Sequence, residues 1–103
     1  MDYRCFEWDD AKANSNRRKH GISFEEAAQV FSDEFRIMQQ DRIENGEARW
    51  QTLGQTNGAV VLLVAHTVWD DEEGIEVVRI ISARLATRAE RRHYHDHRAK
   101  NLG

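Results

Sequence analysis

Proline is absent from the 103 residues, cysteine occurs once, and no apolar run is long enough to cross a bilayer. Each absence excludes something. Without proline no helix is stopped or kinked by one, so element boundaries must be read from capping side chains and glycines. The lone Cys5 forbids an intrachain disulfide, and with it the stapled scaffolds of small extracellular domains. The opening MDYRCFEWDD lacks the basic and then apolar layout of a secretory leader. Together these features predict a cytoplasmic protein. Apolar residues make up 40% and charged residues 32%, which implies a modest core and a large working surface. Disorder is excluded by the aromatic mass of Trp8, Trp50, Trp69, Phe24 and Phe31. The length suits one compact domain over residues 1–103 and is too short for two cores.

The net charge of −3 hides an asymmetry. Residues 1–78 hold 8 Lys/Arg against 16 Asp/Glu, a balance of −8. Residues 79–103 hold 7 against 2, a balance of +5, and three of the five histidines. A local basic stretch of this kind is either the footprint of a phosphate-binding face or a solvated helix face.

Caps and periodicity divide the chain into elements. Residues 3–8 read as a short strand, and Asp9-Asp10 as the cap of a helix that runs to His20 and stops at Gly21. Ser23-Phe24-Glu25-Glu26 is a capping box, followed by an apolar stripe at Phe24, Ala27, Ala28 and Phe31. Strands are expected at 36–40, 48–56, 60–65 and 75–84, with a polar loop at 41–46 and an acidic turn at 70–74. In the second of these strands Trp50 and Thr52 face away from Arg49, Gln51 and Leu53, and Asn57-Gly58 is the strongest hairpin signal. Residues 60–65 are continuously apolar, as in a strand buried on both faces. Thr87-Arg88-Ala89-Glu90 opens the last helix with a second capping box. The order β-α-α-β-β-β-β-α predicts an α+β fold. Its simplest form is an antiparallel sheet of four to five strands, with two N-terminal helices and a C-terminal helix covering one face.

Several stretches occur in a telling order. They are Phe6-Glu7-Trp8-Asp9, Asn16-x-x-Lys19-His20-Gly21, Phe24-Glu25-Glu26-Ala27, Glu47-x-Arg49, Leu53-Gly54, Val78-Arg79-Ile80-Ile81-Ser82-Ala83-Arg84 and Ala86-Thr87-x-x-Glu90-Arg91-x-x-Tyr94. Together, over roughly residues 6–94, they resemble the BrnT family of toxins from bacterial type II toxin–antitoxin modules. Leu85 departs from the pattern, in which a basic or polar residue often follows Ser-Ala-Arg. The resemblance implies a RelE-like, microbial-ribonuclease fold and cofactor-free, metal-independent RNA cleavage that shuts down translation. It also implies neutralisation by a BrnA-like antitoxin, with operator DNA bound only through the complex.

Cleavage without a metal drives a 2′-hydroxyl onto the adjacent phosphorus, which requires a base, an acid and cations for the phosphorane charge. His20 exchanges protons near neutrality and Lys19 beside it can hold a phosphate; alternatively both simply end a helix where positive charge favours the dipole. Glu47 and Arg49 share a strand face, as a base beside a phosphate-binding arginine or as an ordinary ion pair. Base and acid are not assigned between His20 and Glu47. Arg79 interrupts an apolar face, where a guanidinium either binds phosphate or pairs with a carboxylate such as Glu47. Arg84 ends the same strand. Being five residues apart, the two arginines face opposite sides unless the strand ends or bulges near Ser82. Arg88, Arg91 and Arg92 suit backbone steering, and Tyr94 either stacks a base or packs in the core. His93 and His97 share a helix face, but two ligands do not make a zinc site. His66, in an apolar strand, reads as a hydrogen-bonded core residue. The competing function is a non-catalytic module of the same fold that binds RNA or an antitoxin.

Overall fold

Side-chain caps set where the helices begin. In the computed structural model, which describes residues 4–102, Asp9 accepts the Lys12 backbone N–H at 3.0 Å and opens α1 (Asp10–His20). Gly21, at φ 71°, closes it by donating to the Arg17 carbonyl. Ser23 and Glu26 form the expected capping box of α2 (Phe24–Ala28), which continues as a 3-10 turn over Gln29–Ser32. Thr87 and Glu90 form the second box, at the head of α3 (Arg88–Asn101). The strands are β1 (Arg4–Glu7), β2 (Ile37–Glu44), β3 (Glu47–Gln55), β4 (Val61–Asp70) and β5 (Glu76–Leu85). The element order is the one expected. Tyr3, the expected start of the first strand, lies outside the described residues.

The sheet is mixed, not antiparallel throughout. Its strand order is β1-β5-β4-β3-β2, and β2 to β5 form an antiparallel meander. β1 runs parallel to β5, with Arg4 opposite Glu76 and Glu7 opposite Arg79. Hairpin logic governs strands joined by tight turns, whereas β1 is separated from the meander by two helices. Its direction was therefore free to be parallel.

The segment 41–46, expected as a loop, is mostly strand. β2 runs on to Glu44, and its polar composition reflects an edge strand exposed along nearly its whole length. Asn45 and Gly46, at φ 53° and 79°, make the two-residue turn into β3, with Glu44 opposite Glu47. Asn57-Gly58 also marks a hairpin, but there the left-handed residue is Ala59, at φ 66°.

Helices cover both faces of the sheet, not one. On one face, α2 and the 3-10 turn bury Phe24, Ala27, Val30 and Phe31 against Leu62, Val64, Val78, Ile80 and Ala83. On the other, α3 buries Tyr94 and Ala86 against Leu53 and Val61. β4 is thus apolar on both sides, as its sequence required. His66 sits in the larger core, its Nε2 2.7 Å from Thr52 Oγ1 and its Nδ1 3.3 Å from the Thr67 carbonyl. That network makes Nδ1 the protonated nitrogen, with Nε2 accepting from the threonine hydroxyl.

The polar helix α1 docks by a different device. Beyond β1 the outer edge of β5 has no strand beside it, and Asn16 takes that place. Its carboxamide accepts from Ala83 N–H at 3.1 Å and donates to Ala83 C=O at 2.9 Å and to Ile22 C=O at 3.0 Å. Asn16 is the one buried residue of α1.

Two stability predictions follow from these buried polar groups. Asn16→Ala strands three backbone groups and should cost about 3 kcal/mol, read as a lower urea midpoint at unchanged slope; a loss under about 1 kcal/mol would show that water replaces the clamp. Burial lowers the His66 pKa to about 4. The unfolded chain therefore binds a proton below pH ~6.5 that the folded chain refuses until about 4. Stability should fall by up to about 3 kcal/mol as pH drops through that window, then level off. His66→Gln should flatten that part of the profile.

Candidate functional site

Whether the two β5 arginines can work together depends on one extra residue. Ile80 pairs with His66 and Ser82 with Ala65, so Ile81 is left over as a β-bulge. Alternation restarts after it. Arg79, Ser82 and Arg84 consequently share one face, the face opposite the larger core.

On that face the register builds rows across the strands. Glu7, Arg79 and Thr67 lie side by side on β1, β5 and β4. Trp50 pairs with His66, which sets Arg49, one step before Trp50, beside Thr67 on the same face. The next row is Ser82, Ala65, Gln51 and Gln39, and the third is Arg84, Leu63, Leu53 and Ile37. α3 packs on the third row. Over the first two lies an open recess of about 240 Å³, lined by Lys12, Arg42, Glu44, Arg49, Ala65, Ile81 and Ser82, with Asp41 at its rim.

Two polar atoms in this region are buried without a hydrogen-bond partner: Arg49 Nε and Thr67 Oγ1. Glu44 stands 3.9 Å from Arg49 Nε, too far for a hydrogen bond. Native proteins rarely leave such atoms unsatisfied, because each costs roughly 1–3 kcal/mol. Extending the Trp50–His66 register by one residue puts the two in one row.

The other arginines differ in how firmly they are held. Arg79 reaches Glu7 at 3.4 Å, and both side chains are 47% exposed, so this is a loose surface pair. The carboxylate that meets Arg79 is Glu7, not Glu47. Arg84 makes a bidentate clasp with Glu90 at 2.8 and 3.0 Å. That hydrogen bonding raises the guanidinium pKa and lowers the Glu90 carboxyl below its ordinary value. Arg84 ties β5 to the first turn of α3 and is the less available of the two.

Lys19 and His20 end α1 and line a second recess, of about 280 Å³, which shares Lys12, Ile81 and Ser82 with the first. The Asn16 clamp holds them there. Glu47, by contrast, lies exposed beside the β2–β3 turn and lines neither recess. The carboxylate nearest Arg49 is Glu44, brought across by the Asn45-Gly46 turn. Arg88, Arg91 and Arg92 are exposed on α3; Arg91 donates to the Ala86 carbonyl at 2.9 Å.

Tyr94 is not available to stack on a base. Its ring is fully buried, its hydroxyl donates to Asp33, and burial with that bond pushes its pKa up to about 12. It is the anchor of α3.

Sequence reading missed Lys12, Glu44, Thr67 and Ser82. Glu44 was within reach, since a two-residue turn at Asn45-Gly46 sets it opposite Glu47. The place of Ser82 beside Arg79 depends on the β5 bulge, and that of Thr67 on cross-strand register, which alternation within one strand does not disclose.

Residues 8–90 match the family model described as "Ribonuclease toxin, BrnT, of type II toxin-antitoxin system". Among solved structures, the Brucella abortus ribonuclease toxin BrnT aligns with a TM-score of 0.55 at 23% identity, over 82% of this chain and 97% of that one, which shows a shared fold. No curated protein matches. With four-fifths of its length inside that family model, the chain belongs to the BrnT family of ribonuclease toxins of type II toxin–antitoxin systems.

Proposed function

We propose that the open face of the sheet cleaves single-stranded RNA without a metal ion, the scissile phosphate lying between Arg49 and Arg79. The observation that carries this reading is the pair of orphaned atoms, Arg49 Nε and Thr67 Oγ1, beside the loosely paired Arg79. A phosphate offers acceptors to the two orphaned donors and can displace Glu7 from Arg79. Two guanidinium groups on strands two apart, roughly 10 Å between backbones, are spaced to close on one phosphate from either side.

The reaction moves one proton in and one out. The 2′-oxygen bonds to phosphorus as its proton passes to a base, and the P–O5′ bond breaks as an acid protonates the leaving oxygen. A 2′,3′-cyclic phosphate and a 5′-hydroxyl result. Arg49 and Arg79 stabilise the extra phosphorane charge, and Lys19 steers the strand along the α1 edge. Glu44 lines this recess from β2 and His20 lines the adjoining one from α1, so the acid and the base are drawn from separate elements. Glu44 takes the role that spacing gave to Glu47. Arg84 braces the site from the third row, while Arg88, Arg91 and Arg92 attract the RNA backbone.

Such an activity arrests translation, and a type II module pairs it with an antitoxin. The partner in this reading is a BrnA-like protein that covers the open face, and operator DNA is bound by the complex alone. The 103 residues act as one domain.

The test is incubation of partner-free protein with labelled single-stranded RNA in EDTA. Wild type should cleave; Arg49→Ala and Arg79→Ala should each lose about 100-fold or more, as expected for removing a transition-state donor. Glu47→Gln should cut at the wild-type rate and Glu44→Gln should not. A folded wild type that leaves RNA intact, and whose overexpression does not slow growth, would sink the catalytic reading and leave a binding module.

A further inference from the structure

A smaller recess, of about 100 Å³, opens where α3 meets the sheet. It does not belong to the phosphate cradle, and its chemistry differs. Leu53 and Leu63 form the floor, and Gln39, Gln51 and His93 stand at the rim. Gln39 and Gln51 are a cross-strand pair on β2 and β3, so their carboxamides lie side by side. Neither carboxamide, nor the His93 ring, hydrogen-bonds another described residue.

The recess is unsuited to a phosphate. A carboxylate, Glu90, lines it, and the cation that Glu90 meets, Arg84, is held in their bidentate pair. It is suited to a flat heteroaromatic ring. An apolar floor accepts the π-face, and each carboxamide presents donors and an acceptor in one plane, the pattern of a base edge. Position gives the second argument. Gln51 lies two residues along β3 from Arg49 on the same face, roughly 7 Å away. That is close to the reach between a nucleobase and its flanking phosphate.

We infer that this recess holds an unpaired nucleobase next to the scissile phosphate, and that Gln39 and Gln51 read its edge. The inference rests on the RNA reading of the open face and assigns its specificity. The cradle binds any phosphate, whereas carboxamides left unpaired by the wrong base lose affinity. RNA choice therefore resides in two glutamines that play no part in bond cleavage.

Binding separates the two claims. The probes are four short 2′-O-methyl RNA oligonucleotides that differ in one base and cannot be cleaved, because the 2′-oxygen is blocked; affinity is read by fluorescence anisotropy. Wild type should prefer one base by about tenfold. Gln51→Ala and Gln39→Ala should lower the favoured affinity to the level of the others and leave those others within about twofold. Arg49→Ala should weaken all four alike. Equal wild-type affinity for the four, or a preference that survives the double Gln39→Ala/Gln51→Ala variant, overturns the inference while the RNA site stands. Wild type that binds none of them overturns both. Base preference without cleavage of unmodified RNA sinks the nuclease reading and keeps the recess. Neither glutamine side chain hydrogen-bonds another described residue, so the variants should fold, which a thermal melt checks.

Discussion

Asn16 does for β5 what a neighbouring strand would otherwise do. A carboxamide carries a donor and an acceptor in the geometry of a peptide group, and here it meets both backbone groups of Ala83. Without it, the outer edge of β5 beyond β1 would bury two unsatisfied groups. Much else depends on this contact. α1 is almost wholly polar and has no apolar stripe to dock it, so Asn16 replaces hydrophobic packing as its anchor. The same contact lies two residues past the Ile81 bulge, where β5 has changed its alternation. Clamp and bulge together place Arg79 and Ser82 on the open face and bring Lys19 and His20 alongside.

Pairing strength then sorts the arginines by task. An exposed pair such as Arg79 and Glu7 contributes at most about 1 kcal/mol, so an incoming phosphate can displace the carboxylate at small cost. Arg84 and Glu90 form a bidentate, partly buried clasp that also completes the α3 capping box, and breaking it would loosen a helix. Arg49 is a third case. Its Nε is desolvated and has no hydrogen-bond partner among the described residues, with Glu44 3.9 Å away, so in the proposed reading the cost of preparing it for a ligand is met by the fold before any ligand arrives. Residues of one type on one sheet face are thus a loosely paired cation, a strut and a buried donor without a hydrogen-bond partner.

How much of this was legible depended on whether the signal was local. Asp9, Ser23 and Thr87 announced helix starts, because capping is a matter of three or four residues. Gly21 announced a stop, and residues 60–65 announced a central strand for equally local reasons. The direction of β1 was not legible, since no tight turn ties it to its partner. Helix placement on both faces was missed because α3 shows few apolar residues; one fully buried side chain, Tyr94, holds it down. The site was readable in part. Arg79 stood out as a charge on an apolar strand, and the need for a bulge near Ser82 could be stated from alternation. That the bulge exists, and that Glu44 rather than Glu47 faces Arg49, are consequences of cross-strand register.

The orphaned atoms bear on why a small fold tolerates such a site. Two buried, unpartnered donors cost a few kcal/mol, a large share of the 5–15 kcal/mol that holds a typical domain together. Elsewhere the chain satisfies its buried polar groups closely, as at Asn16 and at the Thr52–His66 pair. Among the described residues the deficit is confined to Arg49 and Thr67, and in the proposed reading a bound phosphate would remove it. A ligand that repairs a deficit in the folded state also stabilises that state by mass action. The same holds for any partner whose acidic groups fill the row. On the proposed function, substrate and neutralising protein would compete for one set of unmet hydrogen bonds, and covering the open face would both inhibit the toxin and stabilise its fold.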